Sequence, residues 1–254
     1  MGQRRRGQFS VFGRRSQHWR RFNPVTNHGS FPRRTRVAEV VGPAGAGKTT
    51  LCRELTRRAA RVRLENFPDV HKPADAPFFL SNGLQLIPRL LALPRNGSRR
   101  LTRREFAWMS ILNGWPALLR KEAERGGVIV LDQGPVYLLA ETRLFGPEYL
   151  KRDSAHRFWQ SLFERWDAAL HTVFYLDADN EILLDRIRSR EQEHIVKAES
   201  ETTVCEFLDR YRAEYEFILS ALTAKDRNLR ILRIDTGNRQ TQVIVEDILL
   251  ELGC

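Results

Sequence analysis

The sequence predicts an α/β protein whose parallel sheet is covered by helices on both faces. Three observations lead there. Short runs that are apolar almost throughout ("VIVLD", "VFYLD", "ILRID") alternate with longer helical stretches, the pattern of strands buried from both sides. The glycine-rich string "GPAGAGKTT" joins one such run to a helical one. No internal repeat or second domain is visible after Val37, so a single domain is expected over residues 37–254.

The 254 residues suffice for one α/β core, and 42% hydrophobic with 29% charged residues is the balance of a globular chain. No apolar run approaches the roughly 20 residues a membrane-spanning helix needs, so no membrane partner is expected. Cys52, Cys205 and Cys254 are few, odd in number and far apart. They read as reduced thiols of a cytoplasmic protein rather than a disulfide frame or a zinc site. The net charge of +11 suggests nucleic acid until it is located. Residues 1–36 hold ten arginines and neither lysine nor acid, and +11 less 10 leaves about +1 for the remainder. Nucleic acid is therefore a partner only through residues 1–36. That stretch has no helical or strand period and reads as a basic, disordered extension. An RNA-binding arm with Trp19 and Phe22 stacking on bases, an organelle transit peptide, and a start codon assigned too early are the other readings.

In chain order, the first strand is expected over Val37–Val41. It leads into the pattern G-x-x-x-x-G-K-[ST], here Gly42, Gly47, Lys48 and Thr49, with Pro43, Ala44, Gly45 and Ala46 between them and Thr50 after. A loop of this kind, a P-loop, wraps successive backbone N–H groups around a phosphate at a helix N-terminus. Lys48 reaches the β- and γ-phosphates of ATP, and the Thr49 hydroxyl is a ligand for Mg²⁺. The second strand, Val62–Asn66, is followed by "FPDVHKPADAPFFLSNGLQLIPRLL", where Phe78 and Phe79 read either as core or as a stacking surface, and His71 as a loop residue. Arg99, Arg100, Arg103 and Arg104 read as a solvated face or a contact for an anionic acceptor. Thr102 and Glu105 form a capping-box pattern, and Pro116 should break or kink the helix that follows.

The third strand, Gly127–Asp132, ends in an acid where a nucleotide site uses a carboxylate near the metal. Gln133 follows, where many hydrolysing motors carry Glu, and no N-K-x-D string for guanine is present. Both absences point away from a motor and a GTP switch. After the fourth strand, Thr172–Asp177, comes "DRIRSREQEHIVKAES" at 185–200. Arg186 and Arg190 are spaced i,i+4 at the end of a helix, either as a solvated basic face or as cations beside a polar cover over a nucleotide. "TVCE" at 203–206 reads as a second capping box, opening a helix that puts Phe207, Leu208, Tyr211, Tyr215, Ile218 and Leu222 on one side. The fifth strand is Arg230–Asp235.

From Val37 to the end, about 218 residues, the chain resembles the P-loop nucleoside and nucleotide kinases, most closely thymidylate kinase. The shared features are the loop Gly42–Thr50, "VFYLDAD", "ILLDRIRSR", "FLDRYRAEYEFIL" and the final "RILRIDTG…VIVEDILLEL". The resemblance implies a P-loop NTPase fold with five parallel strands, phosphoryl transfer from Mg·ATP to a small-molecule acceptor, and lid arginines, Arg186 and Arg190, on adenine and phosphates. It is compatible with a homodimer. The departure is Asp132-Gln133-Gly134-Pro135 where thymidylate kinases carry Asp-Arg-Tyr, so the acceptor stays open. Glu65 falls roughly where such kinases keep an acid near the acceptor hydroxyl, which makes Glu65 and Asp132 rival candidates for the base. The expected function is thus an ATP-dependent kinase. The alternative is a nucleotide-binding ATPase or regulator associated with RNA through its tail.

Overall fold

The computed structural model describes residues 36–191, 194–224 and 229–254. The basic extension lies outside the described residues except for Arg36, which opens the first strand; Gln192 and Glu193 of the 185–200 stretch lie outside them too. In chain order the elements are β1 (Arg36–Val41), α1 (Lys48–Arg58), β2 (Val62–Glu65), α2 (Ala76–Leu91), α3 (Arg103–Ala123), β3 (Val128–Asp132), α4 (Pro135–Phe145), α5 (His156–Asp167), β4 (Thr172–Asp177), α6 (Asn180–Ser189), α7 (Glu201–Thr223), β5 (Arg230–Asp235) and α8 (Thr241–Leu252). The five strands are parallel in the order β2-β3-β1-β4-β5. The chain goes to one side of β1 for β2 and β3 and to the other for β4 and β5. The C-terminal end of β1 is therefore the switch point, where such sheets open a crevice for ligands.

Alternation along the strands divides the core into two layers. Val37, Val41, Ile129, Leu131, Val173 and Tyr175 pack against α2, α3, α4, α5 and most of α7. Ala38, Val40, Val128, Val130, Phe174 and Leu176 pack against α1, α6, α8 and the start of α7. β4 is buried along its whole length, as expected of a central strand. β5 is different: only Ile234 is buried, because it is an edge strand, and "ILRID" places Arg233 on its open side, paired with Glu216.

Two helix expectations need correction. α3 continues through Pro116 instead of breaking there. Proline at this position removes the N–H that would bond the Leu112 carbonyl one turn back. That carbonyl accepts instead from the indole N–H of Trp166 on α5, at 2.9 Å, and the Asn113 carbonyl accepts from Arg165 at 3.0 Å. A neighbouring helix thus satisfies what the proline left open. α7 starts one turn before "TVCE": Ser200 is the cap, its hydroxyl accepting from the Thr203 N–H at 3.3 Å. Thr203 and Glu206 lie inside the helix. Ser200 offers the same chemistry to the first free N–H groups of a longer helix, so the earlier cap prevails. The Thr102–Glu105 capping box forms as expected.

Trp166→Phe should cost about 1–3 kcal/mol in urea unfolding, since it leaves the Leu112 carbonyl buried without a donor. In a Pro116→Ala background, where the helix supplies its own N–H, the same change should cost clearly less.

Candidate active site

β1 enters the loop at Gly42 (φ 154°), which passes so close to β4 that a Cβ there would sit 2.1 Å from the Leu176 carbonyl oxygen. Gly45 (φ 82°) would meet the Leu183 carbonyl at 2.8 Å, and Gly47 (φ 88°) takes the left-handed turn into α1. Glycine at positions 42 and 45 thus lets the loop pack directly against the backbones of β4 and α6. No side chain caps α1, and Thr49 and Thr50 are exposed on its first turn. The open N–H groups there carry the positive end of the helix dipole. Lys48 folds back over the loop, its Nζ donating to the carbonyls of Gly42 at 2.8 Å and Pro43 at 2.9 Å.

Four of the five strands end in an acid: Glu65, Asp132, Asp177 and Asp235. Two of these are consumed by the fold. Asp177 takes a two-pronged ion pair from Arg212 of α7, at 2.9 and 3.0 Å, while Arg212 also holds Asn180 and the Ala178 carbonyl. Asp235 accepts from the Gly237 N–H and from Asn238. The other two make no hydrogen bond or ion pair among the described residues. Asp132 Oδ1 is buried without a partner. Glu65 is half-buried at the edge of the sheet.

Asp132 lies beside Lys48. Burial pushes the Lys48 ammonium down to about 8; the Asp132 carboxylate opposes that shift and the Arg190 guanidinium adds to it. Arg190 therefore joins the site, and its Nε is likewise buried without a partner. It does so from just beyond α6 on extended backbone (φ −73°, ψ 148°), not from a helical face shared with Arg186. Arg186 is committed elsewhere: it donates to Thr236 Oγ1 at 3.1 Å and to the Thr236 carbonyl at 2.8 Å, and stands 3.5 Å from the Gly45 carbonyl. It ties the loop to the segment after β5. His194 also belongs here. Burial holds its pKa down, with Arg190 and Lys48 acting in the same direction, and its ring meets Phe207 edge-on at 5.7 Å. Its place was invisible in a polar stretch without a recognisable spacing.

The register separates the two rival bases. Glu65 pairs with Leu131, and Val40 with Asp132. Glu65 thus shares the α3 side of the sheet with Leu131, while Asp132 shares the α1 side with Val40. One faces the phosphate loop and the other the opposite layer.

Glu39 escaped the sequence reading. It is fully buried in the middle of β1, on the same side as Leu131. Its carboxyl accepts from the N–H groups of Val136 (2.9 Å) and Tyr137 (3.1 Å), capping α4 from a different strand. Burial pushes its pKa up to about 8 against the lowering effect of these backbone donors. A single acid in the otherwise apolar run "VAEVV" was the available signal. The turn it holds is strained: Gln133 has φ 65°, and a Cβ on Gly134 would lie 2.8 Å from Glu39 Cδ.

The layer on the Glu65 side is aromatic. Phe67 meets Trp115 edge-on, Phe78 meets Phe79, and the Arg104 guanidinium lies 4.3 Å over the Trp108 ring. Phe78 and Phe79 are both partly buried against the core. Tyr211 donates to Glu141, beside Tyr137. Arg99 is exposed, as a solvated face requires, and also pairs with Glu105 through two bonds and donates to the Phe145 carbonyl at 2.7 Å. His71 is an exposed loop residue. A cavity of about 600 Å³ lies on another flank, among Arg143, Trp159, Phe163 and Phe217, and includes none of the residues above.

The chain matches the AAA domain family over residues 39–209. Among solved structures it is similar to thymidylate kinase from Candida albicans, with TM-score 0.53 and 17% identity over 87% of this chain and 92% of that one. Deoxyadenosine kinase from M. mycoides, solved with bound dATP, gives TM-score 0.46 and 14% identity over 86% of this chain and all of that one. No curated protein matches the sequence. The likeness to thymidylate kinase shows that the expected P-loop kinase fold is present.

Because the Glu39 carboxyl is raised from 4.5 to about 8 in the fold, the native state binds its proton more tightly than the unfolded chain. Its contribution to stability is full below pH 4.5 and declines as pH rises toward 8. Glu39→Gln should flatten the stability profile over that window, read by urea unfolding at several pH values.

Proposed function

This chain belongs to the AAA domain family, and from that premise we propose that it is an ATP-dependent phosphotransferase acting on a small-molecule acceptor of the nucleotide or nucleoside kind. The observation that carries the reading is the convergence of Lys48, Asp132 and Arg190 beside an uncapped glycine loop, two of them with buried polar atoms left without partners. A buried polar atom without a partner costs about 1–3 kcal/mol, a cost that a bound phosphate and cation remove.

The residues fit ATP and Mg²⁺. The loop N–H groups after Gly42 and Lys48 Nζ hold the β- and γ-phosphates, with Lys48 moving off its two carbonyls to do so. The Thr49 hydroxyl and the Asp132 carboxylate would hold the metal, which would supply positive charge to offset the negative charge of the phosphates. Arg190 meets the negative charge on the transferring phosphoryl group. Glu65, on the other side of the sheet end, orients the acceptor hydroxyl and takes up its proton as the new O–P bond forms and the bond to ADP breaks. Since the transition state is loose, that base mostly orients, and its loss should matter less than the loss of Lys48. Arg186 holds the loop against the Thr236 segment.

Hydrolysis without an acceptor is the competing reading. Gln133, held in left-handed backbone where motors carry Glu, weighs against it. The homodimer has a surface to form on: α2 exposes Leu80, Leu84, Ile87 and Leu91, and Arg89 is its single charged residue. The expected mass of the purified protein by light scattering is therefore that of two chains, and Leu84→Glu with Leu91→Glu should halve it.

The deciding measurement is ADP release from Mg·ATP with and without pooled nucleoside monophosphates and nucleosides. Release should depend on the acceptor, and Lys48→Ala should lower it by about a thousandfold or more while the melting temperature holds. Equal release with and without acceptor would make the protein an ATPase.

A further inference from the structure

We infer that Glu39 is a positioning residue: it anchors the turn between β3 and α4 so that the Asp132 carboxylate stays aimed at the phosphate loop. The inference rests on the proposed reading of that loop and of Asp132.

Asp132 needs such an anchor because, beyond the pairing of its backbone with Val40, nothing holds its side chain. Its Oδ1 accepts no hydrogen bond, and the residue after it, Gln133, sits in left-handed backbone at φ 65°, a conformation that is costly for a non-glycine residue. A turn so strained persists only when its surroundings over-determine it. Here β1 supplies that on both sides of the turn, through strand pairing before it and the Glu39 carboxyl after it. Glu39 stands on β1, paired through its backbone with Leu131, one residue before Asp132. Its two oxygens accept from the N–H groups of Val136 and Tyr137, which lie in the first turn of α4, three and four residues beyond Gln133. Gly134 packs against the same group so closely that even a methyl there would lie 2.8 Å from Glu39 Cδ and 3.0 Å from Leu131 Cβ. The Asp132–Gly134 turn is thus fixed at both ends to β1, by strand pairing before it and by Glu39 after it.

This placement also explains an acid at the centre of a buried strand. A hydrophobic residue at position 39 would fill the same layer, but it would leave two N–H groups of α4 unpaired, one of them buried and the other partly so. β1 is also the strand that carries the phosphate loop. Glu39 therefore sets the position of Asp132 relative to that loop through a single rigid element.

The test uses ADP binding to the full chain, by calorimetry, with Mg²⁺ and with excess EDTA. The ratio of the two dissociation constants isolates the part of binding that needs a correctly aimed metal ligand. Asp132→Asn should abolish that ratio. Glu39→Ala should lower it by about tenfold while Mg²⁺-free binding, which needs only Lys48 and the loop, changes little. Glu39→Gln, which keeps the size and one acceptor, should restore most of it. In the double variant Glu39→Ala with Asp132→Asn the ratio should fall no further than in Asp132→Asn alone, because the first residue acts through the second.

Where Glu39→Ala does not fold, Gly134→Ala perturbs the same turn while leaving the carboxyl in place, and it should lower the ratio in the same way. A wild-type ratio retained in both Glu39→Ala and Gly134→Ala overturns the inference. So does an equal loss of Mg²⁺-free binding, which would mark a general collapse of the loop. A wild-type protein that binds ADP equally with and without Mg²⁺ overturns the assignment of Asp132, and Glu39's role with it. The two failures are told apart by Asp132→Asn, which is silent only in the second case.

Discussion

A sheet buried on both faces can carry charge only where its strands end. That constraint organises this protein. The interiors of β1, β3 and β4 must be apolar on both sides, so acids are moved to the C-terminal rim: Glu65, Asp132, Asp177 and Asp235. The rim is also where the glycine loop emerges at the switch between the two halves of the sheet. The fold then spends two of the four acids on its own integrity, Asp177 on Arg212 and Asp235 on the turn after β5, and leaves two without partners. Candidate chemistry is what remains once structural pairing has been subtracted.

Glu39 is the exception to that constraint, and its surroundings show the terms on which an exception is tolerated. A carboxyl in the middle of a buried strand is stable there because backbone donors from α4 meet it and because burial favours its neutral form. Pro116 follows the same logic in reverse. It deprives the Leu112 carbonyl of its donor, and Trp166 supplies another from α5. In both places a local fault in one element is satisfied by a different element, which binds the layers to one another.

Much of the site was legible in the residues. The loop from Gly42 to Thr50 declares itself because close approach to β4 at Gly42 and left-handed backbone at Gly47 admit little but glycine. Asp132 is legible because it ends an apolar run. Arg190 was marked by its distance from Arg186, yet that distance misled: the helix ends at Ser189, and the two side chains part, one to the phosphate loop and one to Thr236. Arg99 is exposed as read, but its pairing with Glu105 was not visible, because Glu105 was already assigned to a cap and does both tasks. Glu39 showed only as an acid in an apolar run, because its partners on α4 are distant in sequence, and His194 carried no recognisable spacing.

The order of strands and helices, the glycine loop and the apolar core positions follow from the sequence by itself, since periodicity and backbone sterics are local properties. Which acids are paired and which are left open is different. Arg212 reaches Asp177, and the α4 amides reach Glu39, only across gaps of 35 and 97 residues closed by the fold. The tertiary structure alone decided that Asp132 and Glu65 stand on opposite sides of the sheet end, because a pleated strand turns each successive side chain to the other face and only pairing with β1 and β3 fixes which face that is.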